Sequence, residues 1–233
     1  MSHPCLILAA GFGTRMAALT RDRPKVLIEV AGRPLLAHAL EAARAVGAAP
    51  IAVNGHYMAA AIEGWLRSNA PDVVFLHESP TILDSGGAVK NAIGALGGGP
   101  IFTLNADAVW EGASPLAALA AAWDPARMDA LLALVPRARA VGRQGGGDFA
   151  MDGAGRLAWD RGPGSPVYVG AQLIDTGRIA ARKGAVFSLR ETWDAMRAEG
   201  RLHGVMHDRR WADVGHPGGI AAAEEMLGHD ADL

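Results

Sequence analysis

The chain has 233 residues, half of them apolar and 20% charged, with a net charge of −2, which is enough length to bury a substantial core. A charge so near neutrality argues against a general nucleic-acid-binding surface, so positive potential used for recognition must be local. Cys5 is the one cysteine and permits no internal disulfide. No apolar run approaches the roughly 20 residues that span a bilayer, and Met1-Ser-His-Pro is too short and uncharged for a secretory leader. The expectation is a cytoplasmic protein with no membrane partner.

The apolar run Cys5 to Ala10 reads as a fully buried parallel strand. Gly11 and Gly13 then let the backbone turn tightly with no Cβ to hold a ligand away from the main chain. Successive N–H groups in such a turn suit phosphate oxygens, and Thr14 continues it. Arg15 adds a planar fork and Lys25 a point charge. Together they suggest the handling of a polyphosphate at the carboxyl end of the first strand. A dinucleotide fold also opens with G-x-G, and Glu29 lies near the spacing of a ribose-binding acid. Met16, however, stands where the third glycine would be, and Pro24 and a second apolar run intervene. The Gly-Lys-Ser/Thr of a P-loop is absent as well.

Val26 to Val30 reads as a short extended piece, and Pro34 opens a helix whose apolar face runs to Val46, with Gly47 ending it. Pro50 to Asn54 is a strand, Tyr57 to Leu66 a helix and Val73 to His77 a strand, an alternation that predicts βαβ units and a parallel sheet. Asn54 lies just past a strand end and either contacts a ligand or caps the next helix; His56 reads as decorating a turn. Asp84, Ser85, Gly86 and Gly87 precede a helix through Leu96, where free N–H groups suit base edges or phosphate. Asp84 either bonds a nucleotide or caps that helix. Pro100 to Asp107 is an apolar strand ending in Asn105-x-Asp107, which delivers a carboxylate to the same sheet edge; it suits Mg²⁺ or merely forms a turn.

Leu116 to Trp123 reads as a helix and Asp129 to Val135 as a buried strand. Pro136 to Gly147 carries Arg137, Arg139 and Arg143 among glycines and reads as a mobile basic loop. It is either a solvated charge cluster or a place where Arg143 or its neighbours meet an anionic sugar. Gly147 to Met151 and Arg156 to Trp159 make a hairpin around Asp152-Gly153. In the strand Val167 to Ile174, Gly170 marks a close approach by a ligand or another backbone. Phe187 to Met196 is helical with a capping box from Ser188 to Glu191. Leu202 to Met206 is a strand, Trp211 to Gly215 ends in an Asp before a glycine, and Gly218 to Leu227 is a closing helix before a loose tail.

The pieces Leu8-Ala-Ala-Gly-x-Gly-Thr-Arg-Met16, Leu19-Thr20, Pro24-Lys25 and Gly32-x-Pro-Leu-Leu36 occur in order near the N-terminus. They resemble the signature of the sugar-1-phosphate nucleotidyltransferases, and the likeness is nearest to the bacterial N-acetylmuramate-1-phosphate uridylyltransferases, with the mannose-1-phosphate guanylyltransferases close by. The resemblance implies an α/β fold: one Rossmann-like domain over 1–233, with a mostly parallel sheet and a small β-rich sugar-binding subregion. Residues 1–135 would form the nucleotide part, 136–215 the sugar part, and 216–233 the closing helix and tail.

It further implies that Ala9 to Gly11 and Ser85 to Gly87 hold the nucleoside, that Asn105, Gly147, Asp148 and Gly170 face the sugar (Asp148 reads equally as structural), and that Asp107 and Asp213 hold Mg²⁺. Ala106 departs from the family's Asn-Gly-Asp and leaves the carboxylate in place. Arg15 and Lys25 would be the catalytic cations. A sugar phosphate is already an anionic nucleophile, so no general base is required, in keeping with the lack of a Ser/His/Asp or Cys/His arrangement. The expected partners are small molecules, a nucleoside triphosphate and a sugar 1-phosphate, met by a monomer. A non-catalytic nucleotide-sugar-binding protein and an NAD-type oxidoreductase are the readings of other classes.

Overall fold

A computed structural model describes residues 2–228; the tail expected to be loose lies beyond the described residues. The opening apolar run forms β1 (Cys5–Leu8), followed by a ribbon of β2 (Glu29–Val30) and β3 (Arg33–Pro34), then β4 (Ile51–Gly55) and β5 (Val74–His77). β6 (Pro100–Asn105), β7 (Ala108–Trp110), β8 (Ala130–Val135) and β9 (Ala140–Val141) come next. The hairpin β10 (Phe149–Met151) and β11 (Leu157–Trp159) precedes β12 (Val167–Asp175), β13 (Leu202–Met206) and β14 (Trp211–Asp213). The helices are α1 (Leu35–Arg44), α2 (Ala59–Asn69), α3 (Asp84–Leu96), α4 (Pro115–Ala122), α5 (Gly177–Ala181), α6 (Leu189–Ala198) and α7 (Gly218–Gly228).

Seven strands share one sheet in the order β13-β8-β12-β6-β1-β4-β5. Every neighbouring pair is parallel except where β12 meets β6 and β8, to both of which it runs antiparallel. The sheet is therefore the mostly parallel one that the strand–helix alternation predicts, with a single reversed strand. Its inner strands are buried on both faces, as continuous apolar runs require, while the edge strand β5 is partly exposed. Cys5 and Ile7 face the cluster that holds Leu36 and Leu40 of α1, Ile62 of α2 and Leu116 of α4. Leu6 faces Val89 and Ala92 of α3 and Trp193 and Met196 of α6. Burial pushes the Cys5 thiol up, so it packs as a small apolar group. No helix of the described residues is long and apolar enough to cross a membrane.

Two features of the topology position chemistry. Leu8 stands in register with Asn105, so the turns after β1 and β6 emerge side by side at the carboxyl edge, where open parallel sheets bind ligands. A small second sheet, β7-β14-β9, pairs Asp213 with Ala108, and Val214 N–H donates to the Asp107 carbonyl at 3.1 Å. Two aspartates 106 positions apart in the chain are thereby set on neighbouring strands. α7 packs its Ala223 and Met226 against Ala212 and Val214 and holds this sheet from behind.

Local expectations fail in two places, and one short helix is not anticipated. Lys25–Leu27 is a 3₁₀ turn and not extended, because Ile28 N–H closes on the Lys25 carbonyl at 3.0 Å after Pro24; the turn buries Lys25 and Val26. The loop 136–147 is tied down and not a loose basic stretch: Arg137 donates to the carbonyls of Arg143 (2.8 Å) and Gly145 (3.0 Å), and Arg139 donates to the Asp208 carbonyl. The short α5 carries no signal that periodicity would detect, since five residues make little more than one turn.

Candidate active site

The site begins with a buried polar relay across the strand ends. Ala9 N–H donates to Asn54 Oδ1 (2.7 Å), Asn54 Nδ2 donates to Glu78 Oε1 (2.6 Å), and Leu83 N–H donates to Glu78 Oε2 (2.8 Å). Asn54 is 3% exposed and Glu78 2%. Asn54 therefore does not cap α2, whose N-cap Met58 makes no side-chain bond; it fixes the loop after β1. Glu78 is missing from the residues the sequence singles out. An acid one position past a strand is usually solvated, and only burial with two donors aimed at it marks this one. His56 places Nδ1 2.8 Å from the Glu78 carbonyl.

The relay underlies a cavity of about 260 Å³ whose lining includes Ala9, Ala10, Gly11, Lys25, Asp84 and Ser85. A Cβ on Gly11 would meet no heavy atom within 4 Å, so this glycine leaves open space where a ligand backbone approach needs it. Gly13 works otherwise: its φ of 66° and its packing on Thr20 and Lys25 make it the αL entry to the 3₁₀ turn Thr14–Thr20. Neither Gly13 nor Thr14 lines this cavity. The amides of Gly86 and Gly87, expected to be free for a nucleotide, both donate to the Phe187 carbonyl (2.9 and 3.1 Å). A Cβ on Gly87 would lie 2.0 Å from the Ala185 carbonyl oxygen and one on Gly86 2.4 Å from the Phe187 ring. These two glycines admit the 185–187 segment, and the cavity wall stops at Ser85. Asp84 sits at φ 59° with Oδ1 accepting the Ser85 hydroxyl at 3.0 Å, while the N-cap of α3 is Leu83.

A second cavity of about 480 Å³ opens beside the first, and Asn105 and Asp107 line both. At this seam Lys25 Nζ lies 2.7 Å from Asp107 Oδ2, the lysine side chain 9% exposed and the aspartate 35%. The larger cavity gathers Arg143, Gly147, Asp148 and Gly170, which the sequence places on the sugar side, and with them Arg15 and Asp213, which the sequence places at the nucleotide phosphates and the metal. Arg143 Nη2 pairs with Asp148 Oδ1 at 2.8 Å, and Asp148 Oδ2 accepts Tyr168 N–H at 3.1 Å. Gly147 abuts the Ser165 carbonyl. Gly170, at φ 76°, lies where β12 slips register between Tyr168 and Gln172. The protein group nearest it is the Asn105 side chain, whose Nδ2 would lie 2.9 Å from an added Cβ, and Gly170 also lines the larger cavity. Arg15 and Asp213 meet at Gly215, where a Cβ would lie 2.9 Å from Arg15 Nη1 and 2.7 Å from Asp213 Oδ1.

The far wall is aromatic and was not legible in the sequence. Phe149 stacks on Trp159 at 4.5 Å, Tyr168 meets Trp193 edge-on at 5.2 Å, and Trp193 Nε1 donates to Gln172 Oε1 at 2.9 Å. Burial pushes the Tyr168 phenol up and keeps it protonated. Among the described residues no three His, Cys, Asp or Glu side chains come together as a metal cage. Asp107 and Asp213 are instead two hard oxygen donors facing a cavity with cations around it, a set that suits a dication shared with phosphate oxygens.

Comparison with known proteins agrees with this geometry. Residues 5–191 match the family described as the MobA-like NTP transferase domain. The chain is 38% identical over 231 residues to the N-acetylmuramate alpha-1-phosphate uridylyltransferase of Caulobacter vibrioides, covering 95% of this chain and 96% of that protein. It is 28% identical over 229 residues to the protein of the same name from Neisseria meningitidis serogroup B, covering 96% and 97%. In fold it is similar to HddC of Yersinia pseudotuberculosis solved with GMP-PN, with a TM-score of 0.76, 20% identity, and 96% and 98% of the two chains covered. The chain belongs to the MobA-like NTP transferase domain family and, within it, to the sugar-1-phosphate nucleotidyltransferases, and it is an enzyme of that class.

Proposed function

We propose that this enzyme transfers a uridylyl group from UTP to N-acetylmuramate 1-phosphate, releasing pyrophosphate, as a cytoplasmic monomer in cell-wall sugar recycling. The observation that carries the reaction type is the seam: the two cavities share Asn105 and Asp107, and Lys25 pairs with Asp107 there, so ligands in the two would meet at that point. Similarity along nearly the whole length of the Caulobacter uridylyltransferase supports the base and the sugar. The smaller cavity draws its lining from positions 8–107 and the larger one mostly from 143–213, which supports a nucleotide part over 1–135 and a sugar part over 136–215, closed by 216–233.

In this reading a phosphate oxygen of the sugar 1-phosphate attacks the α-phosphorus. The bond from that phosphorus to the oxygen bridging it to the β-phosphate breaks, and the electron pair leaves with pyrophosphate. The nucleophile is an anion already, so no side chain has to take a proton. What the chain supplies is alignment and neutralisation of like charges. Lys25 contacts the α-phosphate or the incoming sugar phosphate, Gly11 leaves its backbone open to the nucleotide's phosphates, and Arg15, in the larger cavity beside Asp213, neutralises phosphate charge from that side. Ala9, Ala10, Asp84 and Ser85 wall the nucleoside, on the footing that Asn54 and Glu78 give the loop. Asn105, Gly147, Asp148 and Gly170 shape the sugar side. Asp107 and Asp213 would hold Mg²⁺, which supplies charge neutralisation on the phosphates when bound.

A pyrophosphate-release assay with Mg²⁺ tests this, crossing UTP and GTP with the 1-phosphates of N-acetylmuramate, N-acetylglucosamine and mannose. Turnover with UTP and N-acetylmuramate 1-phosphate is expected. Turnover confined to GTP and mannose 1-phosphate would keep the mechanism and replace the substrates; silence from a folded protein would favour a nucleotide-sugar-binding role.

A further inference from the structure

The larger cavity holds four arginines, Arg15, Arg143, Arg161 and Arg190, and they are not equivalent. Arg143 gives Nη2 to Asp148 at 2.8 Å, and its Nε is buried without a partner, so its charge is already engaged by a carboxylate. Arg15 shares the corner at Gly215 with Asp213. Arg161 and Arg190 form no ion pair with a carboxylate among the described residues. Of these two, only Arg190 is held in place. Its guanidinium carbon stands 4.8 Å over the Trp159 ring, and Trp159 is itself fixed by donating Nε1 to Asp194 Oδ1 at 2.6 Å and by stacking on Phe149.

We propose that Arg190 is the specificity-determining residue of the sugar side, reading a carboxylate carried by the sugar in addition to its 1-phosphate. The proposal rests on the substrate reading above and deepens it, because N-acetylmuramate bears such a carboxylate on its lactyl group and N-acetylglucosamine does not. The physical reason lies in what stacking leaves available. A guanidinium laid on an indole face satisfies its π-face, and its N–H donors stay in plane at the edge, the geometry that grips a carboxylate with two parallel bonds. Of the cavity's carboxylates, Asp107 and Asp148 already have Lys25 and Arg143 as partners and Asp213 shares its corner with Arg15, so a substrate anion brings the missing counter-charge to Arg190. The structure thus shifts the anion-reading role from Arg143, where the loop composition points, to a residue on the first turn of α6.

The test compares kcat/KM for N-acetylmuramate 1-phosphate and N-acetylglucosamine 1-phosphate, with UTP, in the wild type, Arg190→Gln, Arg190→Lys and Arg161→Gln. The wild type should favour the carboxylate-bearing sugar. Arg190→Gln should lose on the order of 10- to 100-fold of that preference, the loss falling on the acidic sugar. Arg190→Lys should recover part of it as a point charge, and Arg161→Gln should lose far less. Thermal unfolding of each variant confirms that it is folded. If the wild type prefers the acidic sugar and Arg190→Gln keeps the preference, or loses both substrates equally, the assignment of Arg190 falls while the substrate reading stands. If the wild type turns over only neutral sugar phosphates, the substrate reading falls and takes this assignment with it.

Discussion

Lys25 Nζ lies 2.7 Å from Asp107 Oδ2, joining a buried 3₁₀ turn to the end of β6 across 82 positions of sequence. Asp107→Ala and Lys25→Met each remove one half of this pair, the methionine keeping the buried stem. Both are expected to stay folded, losing about 1–2 kcal/mol, since the aspartate side chain is 35% exposed and solvent screens the pair. Turnover should fall on the order of 10²-fold or more, as on losing one preorganised electrostatic contact. Steady-state pyrophosphate release, read beside a melting curve, checks this; near-normal turnover by a folded Asp107→Ala protein would take the carboxylate out of the proposed metal set.

The glycines separate into cavity-facing and packing positions. Gly87→Ala must drive a methyl to 2.0 Å from the Ala185 carbonyl oxygen, so it should destabilise the fold by roughly 1–3 kcal/mol. Gly11→Ala meets nothing within 4 Å; it should leave the denaturation midpoint near the wild-type value and raise the KM for the nucleoside triphosphate by about 10-fold, through crowding of the backbone approach. Urea titrations together with nucleotide KM values for the two variants decide the matter, and a Gly87→Ala protein of unchanged midpoint would contradict the packing role.

Glu78 accepts one donor on each oxygen, Asn54 Nδ2 and Leu83 N–H. Glu78→Gln keeps the shape but turns an N–H₂ toward one of those donors. The expected loss is about 1–3 kcal/mol of stability, the size of a buried polar group left unsatisfied, accompanied by weaker nucleotide binding because Asn54 then holds Ala9 less firmly. Calorimetric melting and titration with UTP would show both effects; an unaltered melting temperature would mean that the relay does not anchor the loop.

The Arg210 guanidinium beside Glu111 holds its carboxyl down to about 2, from an ordinary value of 4.5, while Arg210 also reaches the Met226 carbonyl at 3.1 Å and so ties α7 to the small sheet. A depressed folded-state value adds stability above the unfolded value, and that stability is lost as pH falls from about 4.5 toward 2. Glu111→Gln should therefore be less stable than the wild type near pH 7, with the difference shrinking as the medium is acidified through about pH 4. Denaturant midpoints measured between about pH 7 and about pH 2.5 give the comparison, and a constant gap across that range would rule out the linkage.

The sequence by itself determined the sheet and most of the cations and carboxylates of the site. Continuous apolar runs, Gly-Pro punctuation and the Ser188–Glu191 capping box are local signals, and the structure realises them, capping box included. Arg15 and Lys25 stand out beside a glycine turn, whereas Asp107 and Asp213 read locally as strand-end acids and take their proposed metal role from the resemblance to the nucleotidyltransferases.

Only the tertiary structure decided which polar group meets which partner. Gly86 and Gly87 look like phosphate-binding glycines until Phe187, about a hundred positions on, takes their amides. Glu78 looks like a surface acid until β4 and the loop before α3 close over it. Arg143 and Arg190 are alike as letters, yet one is paired into the wall and the other is stacked at the cavity. Propensity and periodicity act over a few residues, whereas desolvation and charge pairing depend on neighbours that the chain brings together only after the sheet has formed.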